Sequence, residues 1–151
     1  MNLHAPIRTF LLGESDITEK LGTWENEPAI HTRRPVPQET GAPFIIVASD
    51  NAGAANQDGL MSDRPVLIRD IAVYGPQPEA YRDVEAVAEL IADRMHRNRF
   101  AFVVPGWHIM DVVAARPISA PTDTDKQVGR LVSLTIRLQR PKRGMVQEVQ
   151  P

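Results

Sequence analysis

The stretch VLIRDIAVYGPQPEAYRDVEAVAELIADRMHR, residues 66–97, decides the fold, because one apolar period gives way to another inside it. Val66 to Tyr74 is rich in β-branched residues and stops at Gly75-Pro76, which predicts a strand. From about Pro78 to Arg97 the apolar residues Ala80, Val84, Val87, Ala88, Ile91 and Met95 recur at three- and four-residue steps, the spacing of one helix face. Glu79, Arg82, Asp83, Glu85, Glu89, Asp93 and Arg94 take most of the remaining positions, so one side packs while the other meets water or a neighbour. A strand leading directly into one long amphipathic helix sets the frame for everything around it.

Upstream, Phe44-Ile45-Ile46-Val47 is a continuous apolar run after Pro43, the pattern of a strand buried on both faces. Between Pro28 and Pro37 the prolines impose extended backbone. The N-terminal segment opens a short helix near Pro6, carries Ile7, Phe10 and Leu11 on one face, and stops at Gly13. Ser15-Asp16 with Glu19 suggests a further turn over Ile17 to Leu21, ended by Gly22. Downstream, Trp107 to Arg116 and Arg130 to Gln139 are strands, expected as antiparallel neighbours joined by the polar stretch Ser119 to Gln127. Val132, Leu134, Ile136 and Leu138 alternate with Ser133, Thr135 and Arg137. The predicted class is α+β: a mostly antiparallel sheet of about four strands packed against one long helix, with a helical N-terminal segment. Residues 1–140 form a single domain, and 141–151, which lacks a packing pattern, is a flexible tail. Asp50 to Arg64 has no periodicity and is expected as a long loop that orders only on assembly.

Composition narrows the function classes. The 151 residues contain no cysteine, which removes disulfides and thiolate chemistry, and a net charge of -2 gives no bulk attraction to nucleic acid or anionic membrane. No apolar run approaches the length needed to cross a bilayer, and Met1-Asn2-Leu3-His4 does not open a signal peptide, so neither secretion nor a membrane partner is expected. Phosphate-loop, dinucleotide-fingerprint, nucleophile-elbow and zincin motifs are all missing. His4, His31, His96 and His108 fall on four different predicted elements, which argues against a metal site. Asp50-Asn51-Ala52-Gly53-Ala54-Ala55 lacks the oxygen ligands of a calcium loop at its alanines, and Asp123 with Asp125 belongs to a solvated turn. No cofactor or metal is expected.

Asp70 and Asp111 are carboxylates inside predicted strands, where each must be exposed, paired or poised. An acid–base pair in a cleft is one reading; an edge or interfacial ion pair with Arg69, Arg137 or a neighbouring subunit is favoured over it. Asp70, Arg137, Asp50, Asn51 and Asp58 are therefore candidate interface residues. Arg33-Arg34 and the group Arg140, Lys142 and Arg143 are candidate phosphate contacts, sequence-independent because no aromatics interleave them.

The order of these features resembles the tail terminator, or tail completion, proteins of long-tailed phages and gene transfer agents. The resemblance runs from about Ala5 to Leu138. It rests on the leading helix, the turn ending Lys20-Leu21-Gly22, the Pro35-Val36-Pro37 arm, the strand Gly41-Ala42-Pro43-Phe44-Ile45-Ile46-Val47, the strand Leu67 to Tyr74 with its internal Asp70, and the helix Tyr81 to His96. Gly22-Thr23-Trp24-Glu25-Asn26 departs from the family's usual strand after the second helix. The resemblance implies a non-enzymatic virion protein: a ring, generally a hexamer, that caps the tail tube, ends its polymerisation and meets the head-side connector. Its implied partners are copies of itself, the tail tube protein, the connector protein and the passing DNA. Another virion joint such as a head–tail stopper, a small enzyme using Asp70 and Asp111, and a host-encoded binding module are the alternatives.

Overall fold

The computed structural model describes residues 3–33, 35–47, 64–122 and 124–141. Helix α1 (His4–Leu12) buries Ile7 and Leu11 and accommodates Pro6 in its first turn, where a backbone N–H has no intrahelical partner. A short α2 (Ser15–Thr18) buries Ile17. Two paired two-residue strands, β1 (Thr23–Trp24) and β2 (Glu27–Pro28), then form a hairpin closed by Glu25 and Asn26, both at positive φ, as the favoured two-residue hairpin turn requires. This hairpin occupies the segment where the sequence departs from the tail terminator pattern, and its Glu-Asn turn is a weak signal beside Asn-Gly.

The main sheet has six strands, more than the four expected. Its path is β3 (Ile30–His31), β4 (Phe44–Val47), β5 (Val66–Pro76), β8 (Gln127–Gln139) and β6 (His108–Ala114), with β7 (Ile118–Ser119) also on β8. The β3–β4 pair is parallel and every other pairing is antiparallel. β3 and β7 are two residues each and carry no readable alternation; only the neighbour's ladder makes them strands. β8 is the spine: it pairs with β5 from Gln127 to Arg137 on one edge, and with β7 and then β6 on the other.

Helix α3 (Tyr81–Met95) lies across the sheet and buries Val84, Val87, Ala88, Ile91, Ala92 and Met95, the expected face with Ala92 added. Beneath it, Ile45, Val47, Leu67, Ile71, Val73, Val112 and the alternating Val132, Leu134, Ile136 and Leu138 complete the main core. The opposite sheet face carries a smaller cluster, Ile46, Ala72, Tyr74 and Ala120. β4 is thus buried on both faces, as its unbroken apolar run implies. The N-terminal helices are pinned by charge: Arg94 on α3 pairs with Glu14 at 2.9 Å and with Asp16, and Arg8 Nε donates to the Ile30 carbonyl at 2.9 Å.

Gly22 does not end a helix, since α2 stops earlier, at Thr18. Its backbone instead runs against Gly41: a Cβ on Gly22 would stand 2.3 Å from the Gly41 carbonyl carbon. The hydrogen bonds Gly22 N to Pro43 O at 2.8 Å and Gly41 N to Thr23 O at 2.9 Å lock the two segments together.

Candidate assembly interface

The segment after α3 builds an apolar surface. Arg97, at φ 59, ends the helix. Asn98 donates its side-chain amide to the Arg94 carbonyl at 3.0 Å and accepts the Phe100 N–H at 3.2 Å, so the chain turns sharply outward. From there Phe102 and Val104 point into the core, at 6% and 3% exposure, and the alternation leaves Phe100 and Val103 at 81% and 79%. Val104-Pro105-Gly106-Trp107 then reverses the chain: the Trp107 N–H reaches the Val104 carbonyl at 3.1 Å and Gly106 sits at φ +82, a turn with proline second and glycine third.

Between this loop and α1 lies a groove of about 1140 Å³, walled by Pro6, Thr9 and Phe10 on one side and Phe100, Val103 and Trp107 on the other, with Arg140 at its rim. The Arg140 guanidinium lies 4.8 Å from the centre of the Trp107 ring, and that of Arg99 4.9 Å from the Phe100 ring. Met110, on the bulge of β6, extends the exposed apolar surface. The outer edge of β6 is partly closed: Val112 O accepts the Arg97 N–H at 2.6 Å, and the Ala114 N–H donates to His96 Nδ1 at 3.2 Å.

A second, more polar surface surrounds Arg130. Its guanidinium donates to Ser119 Oγ at 2.8 Å, Glu85 Oε1 at 2.9 Å and Tyr81 Oη at 3.2 Å. The hydrogen bond from Arg130, then that from Tyr81, holds the Glu85 carboxyl below its ordinary range, and the bond to Glu85 raises the Arg130 pKa. Exposed Ile118 stands beside this cluster.

The carboxylates singled out from sequence are separated. Asp70 is buried, at 5% exposure, and accepts a hydrogen bond from the Ser133 hydroxyl at 2.6 Å across the β5–β8 pair. Ser133 is its partner in register on β8. Asp111 forms an ion pair with Arg97 and accepts the Val112 N–H at 3.0 Å. Their partners on β8, Ser133 and Arg137, are four residues apart. With about 3.3 Å per residue and two strand spacings of about 4.8 Å, the two backbones lie about 16 Å apart, too far for carboxylates sharing one reacting atom.

Arg137 is exposed beside Asp111 in the ladder. Arg33 and Arg140 are exposed as well, but strand geometry puts them on the order of 30 Å apart, on opposite regions of the sheet. Arg34, Lys142, Arg143, Asp50, Asn51, Asp58 and Asp123 lie outside the described residues, as does nearly all of the expected loop 50–64. His4, His31, His96 and His108 stay on separate elements, and no group of three or more His, Asp or Glu suited to a metal forms among the described residues. No described helix is long and apolar enough to cross a membrane.

Reasoning from sequence passed over Phe100, Val103, Trp107, Met110 and Ile118. The signal available was Pro105-Gly106 following apolar residues that alternate between core and solvent.

The fold and these surfaces define a class: an α+β fold whose main sheet packs against helices and which carries exposed apolar surface. No protein-family model matches the chain, and no curated protein matches it. Among solved structures, its fold is similar to that of a chain in the virion of a native gene transfer agent particle, with a TM-score of 0.64 at 14% sequence identity. The similarity covers 91% of this chain and 93% of that one.

Proposed function

We propose that this chain is a structural virion protein that caps a phage-type tail tube as a ring, ends tube polymerisation and forms the joint to the head-side connector. The carrying observation is the near-complete mutual coverage of the fold shared with a chain of a gene transfer agent virion. A likeness spanning both chains from end to end describes a whole subunit rather than a recurring motif. Phe100, Val103, Met110 and Ile118 support the reading, because exposed apolar side chains of this size suit a subunit that buries further surface in an assembly. The separation of Asp70 from Asp111 supports a structural rather than catalytic role.

In this reading residues 1–140 form a single domain, heterologous contacts close copies into a hexameric ring, and either Arg33 and Arg34 or the group Arg140, Lys142 and Arg143 faces the DNA path. Asp70 has little surface left to offer a neighbour, whereas Arg137 is exposed. The test is the mass of the purified protein by light scattering, alone and with tail tube protein, followed by the length distribution of the tubes. A ring that stops tube growth is expected. A ring that binds connector but leaves tube growth unchanged would move the protein to a head–tail stopper role, and a monomer indifferent to both partners would overturn the proposal.

A further inference from the structure

We infer that the ridge formed by Phe100 and Val103 seats in the hollow between α3 and β7 of a second copy of this chain. The inference rests on the reading of the chain as a self-assembling subunit and names the contact that such a subunit uses. One molecule carries both halves of a complementary pair. Phe100 and Val103 project almost fully into solvent, and the Arg99 guanidinium lies 4.9 Å from the centre of the Phe100 ring. The hollow, of about 480 Å³, is lined by Glu85, Glu89, Pro117, Ile118, Ser119 and Arg130.

Pro117, the exposed Ile118 and the carbon stems of Glu85 and Glu89 give the hollow apolar walls. Arg130 is already held there by Ser119, Glu85 and Tyr81, so filling the hollow with an aromatic ring orders little that is not ordered beforehand. The charges match as well. Arg99 on the ridge and Glu89 at the hollow are exposed, and neither forms an ion pair among the described residues, whereas Arg97 is taken by Asp111 and Arg130 by Glu85. Two ridges set face to face would instead oppose Arg99 to its own copy, a like-charge contact. Nor can the halves meet within one molecule. The ridge leads into β6 at His108, opposite Gln139, and the hollow lies at Arg130, nine residues back along β8 and so about 30 Å away. The contact therefore joins different patches of two copies, and successive contacts of that kind close a ring when the rotation permits.

The chain has no cysteine, so each half can be given a single one. Full-length Val103→Cys and Ile118→Cys chains, distinguished by tag length, are mixed with and without tail tube protein and oxidised with copper phenanthroline, while light scattering follows the mass of the unsubstituted chain. The mixed disulfide should exceed either same-variant dimer about tenfold, because only positions with Cα atoms within about 7 Å can be bridged. Same-variant dimers in equal or greater yield, or no disulfide where light scattering shows a ring, overturn the inference and leave the tail reading standing. A mixed disulfide from a chain that leaves tube growth unchanged supports the contact and removes the tail reading instead. A chain that stays monomeric with and without tube protein overturns both. Glu89→Arg in the Ile118→Cys chain should cut the mixed yield about tenfold, and Arg99→Glu in the Val103→Cys chain should restore it. A loss that this exchange does not rescue rejects the pairing.

Discussion

Asp70 shows how a carboxyl side chain can be buried and still compatible with a strand interior. Its carboxylate lies opposite Ser133 in the β5–β8 ladder, and the hydroxyl donates to it at 2.6 Å. Removing that donor takes a short hydrogen bond from a buried carboxyl. Ser133→Ala is expected to lower stability by about 1–3 kcal/mol, read from urea unfolding. His31 behaves differently. Burial, and secondarily the positive charge of Arg8, lowers its pKa below the ordinary histidine value, with the ring sharing a 3.2 Å hydrogen bond with Thr40 Oγ1. Because the folded state resists protonation, the unfolded chain binds more protons as pH falls through about 6.5, and stability present above that pH is lost below it. His4 adds to the same trend, lowered by burial and then by Arg69. The melting temperature should fall between pH 7 and pH 5, and a His31→Gln variant should show a shallower fall over that window.

At the scale of elements, α3 holds the fold because its apolar stripe meets the alternating face of β8. Ile91 is fully buried within that contact. Ile91→Ala should cost about 2–5 kcal/mol, whereas Asp93→Ala on the exposed face should stay within about 0.5 kcal/mol, both from denaturant midpoints. The β1–β2 hairpin holds Glu25 at φ 51, a conformation a glutamate adopts reluctantly. Replacing Glu25-Asn26 by Asn-Gly should raise stability by about 0.5–2 kcal/mol in the same assay, since those residues suit positive φ. A drop instead would mean that Glu25 contributes contacts outweighing its backbone strain; its neighbour Glu27 already meets Arg8 at 3.4 Å.

For the whole molecule, the proposed assembly assigns stability and association to different residues. Phe100 and Val103 sit at 81% and 79% exposure, so changing both to Asp removes little from the folded subunit. The expected melting temperature is nearly unchanged, a difference within about 0.5 kcal/mol per site, while formation of rings or capture of tube protein in sedimentation is lost. Retained association in that variant would move the interface to the Tyr81, Glu85, Arg130 and Ile118 surface. Exchange of the accessible basic residues Arg33 and Arg140 to Glu should leave assembly intact and reduce the salt-dependent part of any DNA binding.

The sequence by itself determined the long elements. The face of α3, the doubly buried β4, and the strands β5, β6 and β8 were legible because side-chain periodicity reports burial, and burial is what those residues were spaced to achieve. Tertiary structure decided what depends on a neighbour. β3 and β7 are strands only through the ladders of β4 and β8, and Gly22 reveals its role only against Gly41. Asp70 and Asp111 part because β8 runs between their strands. The apolar groove exists because α1 and the Phe100–Trp107 segment, far apart in the chain, are brought side by side. Periodicity encodes which face of an element is covered; which elements meet is set by the packing of all of them at once.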